Sequence, residues 1–312
     1  MRAQTVVAGF VLLLTLACAG APRALADAEA NADTAPRDGL RFVALADHID
    51  ADNGRAAAAY LIGEMRGVVP GSVLPDDQEL FSYYKDGAAD YSVSFFNELD
   101  FSGVAFDKPQ TATLITDRHV LFAGHFTRQP GATLSFFAKD SSRVDRTVKA
   151  LRRVGKAPRA DDRGEADIDL TVGLLDEPVP AKIAVYPLLD VAFPTLAGLY
   201  GRQVPVIVTN RRRRASISTL NVQTSIDRGY TYQTYKLGSE PLSLPEDWSY
   251  RPRKGDSGNP SFYVVDGELV LASTFSNAAG AGNGPNLAYE PVQQRIQAAI
   301  DALNAEAEEA PR

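Results

Sequence analysis

Cysteine is nearly missing from this chain: Cys18 is the only one in 312 residues. A single thiol cannot close a disulfide within a chain, and it leaves no Cys-x-x-Cys pair to grip a metal. Histidine is scarce as well, at three: His48, His119 and His125. No His-Glu-x-x-His run and no Cys/His cluster occurs, so the signature of a zinc hydrolase is absent, and neither a metal nor an organic cofactor is implied. The apolar stretch from Val6 to Ala19 is short for a membrane span, and no later stretch qualifies. Positive charge is not in excess either. The formal net charge of -7 gives no reason to expect a nucleic-acid partner. One run departs from this balance, Arg211-Arg212-Arg213-Arg214 after the strand-like Val204–Val208. It reads as a solvated loop tip, with a docking patch for anionic surfaces as the second reading.

What is present is ordinary globular composition, 45% hydrophobic and 23% charged, enough to build a full core. The start combines Arg2, a short apolar core and the small-x-small signal Ala24-Leu25-Ala26, so residues 1–26 are expected to be a signal peptide. Cleavage after Ala26 would leave a mature chain beginning at Asp27, secreted or periplasmic and free of cysteine. A second reading takes Thr15-Leu16-Ala17-Cys18 as a lipoprotein processing site, with a lipid anchor at Cys18 in the cell envelope.

Residues 27–89 read as an extension or pro-segment, with a helix from Arg55 to Met65 after Asp52-Asn53. Short strand-like segments then dominate. They include Tyr91–Phe96, Thr133–Ala138, Lys182–Tyr186, Val204–Val208, Ile217–Thr224 and Tyr230–Tyr235. Phe262–Val265 and Leu269–Thr274 flank Asp266-Gly267, a strong hairpin signal. From Pro291 to Ala307, Val292, Ile296, Ile300 and Leu303 fall on one helical stripe.

The chemistry concentrates at Gly255-Asp256-Ser257-Gly258-Asn259-Pro260. A serine hydroxyl is a poor nucleophile at neutral pH and needs an adjacent base. Histidine suits that task, and a carboxylate behind it fixes its tautomer and stabilises the imidazolium. Small residues around the serine let the backbone turn and aim N–H groups at a developing oxyanion. No histidine follows Ser257, which excludes the order Ser, Asp, His of the α/β-hydrolases; Asn259 also stands where that family wants glycine. Lipases of the Gly-Asp-Ser-Leu type need a later histidine too.

Upstream, Leu114-Ile115, Val120-Leu121, Ala123 and His125 align without a gap with the trypsin and chymotrypsin family, where Leu-Ile is followed after four variable residues by Val-Leu-Thr-Ala-Ala-His. Phe122, Gly124 and Phe126 depart from that pattern, and His119 falls at a variable position, where a surface or strand-end histidine is expected. Ala166-Asp167-Ile168-Asp169 through Leu175 and Pro178-Val179 resembles the family's Asp-Ile-Ala-Leu-Leu segment. Counting back from Pro178-Val179 places the carboxylate on Asp169, with Asp167, on the same face of a strand, as the alternative.

The resemblance covers residues 90–304 and leaves 305–312 as a tail. It implies an all-β fold of two six-stranded antiparallel β-barrels with a C-terminal helix, the site lying between the barrels. It implies a secreted serine endopeptidase acting on proteins or peptides. His125 would be the base, Asp169 its orienter, Ser257 the nucleophile, and the amides of Gly255 and Ser257 the oxyanion hole. Asp256 would be structural, and Asn259 replaces the family's second glycine. Arg251, six residues before Ser257, would sit in the substrate pocket and favour acidic side chains, with Thr274, Phe275 and Ser276 as its wall and Ala278–Gly284 as a flexible neighbour. The alternative is a silent homologue whose cleft binds a protein partner.

Overall fold

Alternating apolar residues in short runs make strands rather than helices, and strands dominate the computed structural model. It describes residues 39–45, 54–68, 78–80, 82–83, 89–90, 98–158, 164–192, 195, 199, 204–224, 231–235, 254–276 and 284–309, all within one compact unit, Arg37–Arg312. The segment expected to be a signal peptide, with Cys18, the strand expected at Tyr91–Phe96, Arg251 and the stretch Ala278–Asn283 lie outside the described residues.

Strand β1 (Phe42–Ala44) precedes helix α1 (Arg55–Val68). Short strands β2 (Gln78–Glu79), β3 (Ser82–Tyr83) and β4 (Ala89–Asp90) follow. Next come β5 (Val104–Ala105), β6 (Ala112–Leu114), β7 (His119–Ala123), β8 (Thr133–Phe137), β9 (Arg143–Pro158) and β10 (Glu165–Leu175). Then follow β11 (Leu188–Asp190), β12 (Val204–Asn210), β13 (Arg214–Thr224), β14 (Thr231–Tyr235), β15 (Pro260–Val265), β16 (Glu268–Thr274) and helix α2 (Glu290–Glu309).

The smaller main sheet runs β5-β6-β7-β10-β9-β8, antiparallel throughout. Its edge strands β5 and β8 approach each other, so the sheet curls nearly shut. Inside lie Leu114, Val120, Phe122, Leu134 and Phe136, a separate apolar cluster. Gly173 faces it, where a Cβ would stand 2.9 Å from the Phe122 ring. Neighbours of opposite parity, Leu121 on β7 and Leu170, Val172 and Leu174 on β10, turn outward into a larger core.

The second sheet runs β11-β16-β15-β12-β13-β14, and short strands β1 and β2 at its margins bring it to eight. The β1–β11 and β11–β16 pairings are parallel, where antiparallel pairing was expected throughout. Tight hairpin chemistry appears where expected: Asp266 (φ 51) and Gly267 (φ 76) both take the left-handed region between β15 and β16. Lys182–Tyr186 is not a strand, because a turn runs into it, with the Ile183 N–H donating to Pro180 O. Pairing begins only after Pro187, at Leu188.

Helix α1 buries Ala57, Ala58, Leu61 and Met65, and α2 buries the expected Val292, Ile296, Ile300 and Leu303 with Ala299 and Gln293. Gln293 Nε2 donates to Leu189 O on β11 at 2.9 Å, while Arg295 pairs with Glu165 on β10 at 3.1 Å. Helix α2 therefore touches both sheets. Among the described residues, no helix is long and apolar enough to cross a membrane.

Candidate active site

Strand β7 is wholly buried and stops at Ala123. The chain then turns, with the Phe126 N–H donating to Ala123 O at 3.0 Å, and this carries His125 off the sheet. Beside it, β10 loses register with β9 between Ile168 and Thr171, and Asp169 sits in that irregularity. Its backbone O accepts the Gly124 N–H at 2.9 Å, so backbone pairing holds the carboxylate next to His125.

The carboxylate grips the histidine twice. Oδ1 accepts the His125 N–H at 2.8 Å, and Oδ2 lies 2.6 Å from ring Nδ1. Gly124 leaves room for this fit. A Cβ there would stand 2.9 Å from Asp169 Oδ1 and 2.8 Å from Arg153 Nη1, too close for alanine without a shift.

Asp167 has a different partner. Arg153 on β9 donates from Nη2 to Asp167 Oδ2 at 3.1 Å and from Nη1 to Gly124 O at 2.7 Å. Both are exposed, and Arg153 braces the backbone just before His125. Ile168 and Leu170 both enter the larger core, so the two aspartates share the opposite face, and it is their partners, Arg153 for Asp167 and His125 for Asp169, that distinguish them.

Ser257 comes from the other sheet, in the loop before β15. Gly255 (φ 97) and Gly258 (φ 89) hold left-handed conformations that side chains resist. At Gly258 a Cβ would also approach Thr111 O to 2.8 Å, because the loop packs against the smaller sheet. The Gly258 N–H donates to Phe275 O at 2.7 Å and the Phe275 N–H to Asn259 O at 2.9 Å, which fastens the loop to the end of β16.

These constraints bring Ser257 Oγ to 3.0 Å from His125 Nε2. With Nδ1–H donating to Asp169, Nε2 is the acceptor facing the hydroxyl. The N–H groups of Gly255 and Ser257 donate no hydrogen bond to any described residue.

Asn259 proves to be a structural member of the site. It is 1% exposed, its Nδ2 donates to Asp256 O at 2.8 Å, and its Oδ1 accepts from Thr111 Oγ1 at 3.1 Å. It links the nucleophile loop to the other sheet. Asp256 is 1% exposed, and its Oδ1 accepts the Arg211 N–H at 3.3 Å from the β12–β13 turn.

Around the site, Thr274 and Phe275 are buried and Ser276 half-buried; Thr274 Oγ1 and Ser276 Oγ have no hydrogen-bond partner among the described residues. His119 stands at the start of β7, as expected of a strand-end histidine, but it is buried rather than on the surface and takes no part in the site. Arg153, Thr111 and Arg211 were not singled out by sequence as site residues, since each reaches the site only through sheet pairing or a distant turn. No group of three or more His, Cys, Asp or Glu suited to a metal occurs among the described residues.

No protein-family model matches the chain, and no curated protein matches its sequence.

Proposed function

We propose that the chain is a serine endopeptidase of the trypsin-like type, its two main sheets corresponding to the two barrels of that fold. One observation carries the reading: the continuous line from Asp169 Oδ2 through His125 to Ser257 Oγ, with contacts of 2.6 and 3.0 Å. That geometry is within hydrogen-bond reach for a base and a nucleophile already in place.

In this mechanism Ser257 Oγ adds to a peptide carbonyl carbon while its proton passes to His125 Nε2. Asp169 stabilises the imidazolium through Nδ1. The carbonyl oxygen, now negative, receives hydrogen bonds from the amides of Gly255 and Ser257. Collapse of the adduct breaks the C–N bond, the amine leaves with the proton from His125, and an ester to Ser257 remains. Water, deprotonated by His125, then releases the acid and restores the serine. No cofactor enters these steps. Peptide or protein is the substrate, and an exported location follows from the signal-like start.

A fluorophosphonate probe tests the reading. The full chain should be labelled covalently and should cleave casein. Ser257→Ala should lose both while keeping its circular dichroism spectrum. A folded wild-type chain that is neither labelled nor active would refute the proposal and leave a silent cleft.

A further inference from the structure

The β12–β13 hairpin turns over Arg211–Arg213, directly beside the nucleophile loop. A Cβ on Gly255 would lie 2.6 Å from Arg211 Nη1 and 3.3 Å from its Cζ. The guanidinium thus fills the space next to Gly255, whose amide is one of the two N–H groups proposed to hold the oxyanion. Arg211 and Arg212 are exposed, and so is Lys254, the residue before Gly255. The side chains of these three make no hydrogen bond or ion pair with another described residue.

Arg143, Arg153 and Arg295, also exposed, are paired with Asp145, Asp167 and Glu165, whereas exposed Arg66 has no partner among the described residues. In a chain of net charge -7, what sets Arg211, Arg212 and Lys254 apart is that they gather beside the nucleophile loop. Like charges held close by the backbone repel, and an incoming anion relieves that repulsion. A guanidinium offers a planar fork of N–H donors that fits a carboxylate.

We propose that Arg211, supported by Arg212 and Lys254, selects peptide substrates bearing a carboxylate side chain within a few residues of the bond cleaved. This rests on the reading of Ser257 as a peptidase nucleophile. Arg211 would bind the acid while its own N–H continues to hold Asp256, so one hairpin residue both supports the loop and chooses the substrate. The arginine run then acts at the active site and not as a remote docking patch.

Cleavage sites in denatured casein, mapped by mass spectrometry with the full chain, should be enriched in Asp or Glu at one fixed position near the bond. In matched synthetic peptides, Asp there should raise kcat/KM about tenfold over Asn, the scale of one charge-assisted hydrogen bond. The advantage should shrink in 0.5 M salt. Arg211→Gln keeps the backbone contact to Asp256 and should erase the acid preference, while Arg211→Glu should turn it toward Lys and Arg. Fluorophosphonate labelling separates the two levels. An unlabelled wild-type chain defeats the peptidase reading itself. A labelled chain with no acidic enrichment, or with enrichment that survives Arg211→Gln, overturns this inference alone.

Discussion

Asp167 and Asp169 sit two positions apart on β10, yet one binds a histidine and the other an arginine. On the hydrolase reading, that difference sets their weights. Asp169→Asn leaves His125 with the wrong hydrogen-bonding partner at Nδ1. Turnover should fall on the order of 10⁴-fold, the loss typical when the carboxylate of a Ser-His-Asp site is amidated. Asp167→Asn weakens only an exposed pair with Arg153, and exposed pairs contribute little, so most activity should remain. Steady-state kinetics on both variants, each checked for fold by circular dichroism, decides the matter. A dead Asp167 variant beside an active Asp169 variant would reverse the roles. Of this small region, sequence spacing singled out His125, Asp169 and Ser257, which the fold brings together, but could not separate the aspartates by parity. Their partners do so, His125 for Asp169 and Arg153 for Asp167, and those partners come from neighbouring strands, not from local pattern. Gly124 is a similar case: its smallness is visible in sequence, but the reason, an approaching carboxylate and guanidinium, is not.

Among the elements, β7 and α2 meet at a buried histidine. His119 accepts or donates at Nδ1 with Thr116 Oγ1 at 2.7 Å, while Nε2 is buried without a partner among the described residues. Asn304 and Asp301 of α2 favour its charged form, but Asn304 does not reach hydrogen-bond geometry. Burial outweighs them, with Arg118 adding to it, and the pKa is pushed from 6.5 down to about 4. The folded value lies below the unfolded one, so the unfolded chain takes up the proton first as pH falls. His119 therefore costs nothing above pH 6.5 and removes stability progressively between 6.5 and 4, amounting to about 3 kcal/mol at the lower end. His119→Gln should show a smaller drop in Tm between pH 7 and pH 4.5 than the wild type. Equal drops in the two proteins would mean that His119 titrates normally. The element pattern was legible where a local signal is strong: the Asp266-Gly267 turn between β15 and β16, and the apolar stripe of Val292, Ile296, Ile300 and Leu303 in α2. It was silent on β9, a strand of 16 residues, because its charged exposed face interrupts the alternation: Val144, Val148, Val154 and Ala157 are buried at uneven spacing. The pairing of β9 with both β8 and β10 makes it a strand, and such pairing is not a local property.

At the scale of the molecule, the site exists only while two sheets stay in register, and no covalent link holds them. With one cysteine at Cys18, no intrachain disulfide can form. The link is made by packing. The larger core draws Leu121, Leu170 and Val172 from one sheet, Val206, Phe262 and Leu271 from the other, and Ile296 and Ile300 from α2. Within that junction, the buried pair of Thr111 and Asn259 joins the smaller sheet to the loop that carries Ser257. A shared core makes separate melting of the sheets unfavourable, since exposing either would strip apolar surface from both. Heating should therefore give one transition, with fluorophosphonate labelling lost at the same midpoint as ellipticity. Ile300→Ala cuts into the shared core from α2, about 1% exposed, and should cost roughly 2–5 kcal/mol. It should lower both midpoints together, although Ile300 belongs to a different element from His125, Asp169 and Ser257. Labelling that disappears well below the loss of ellipticity, or a second resolved transition, would show that the sheets unfold independently and that the joint core does not hold the site.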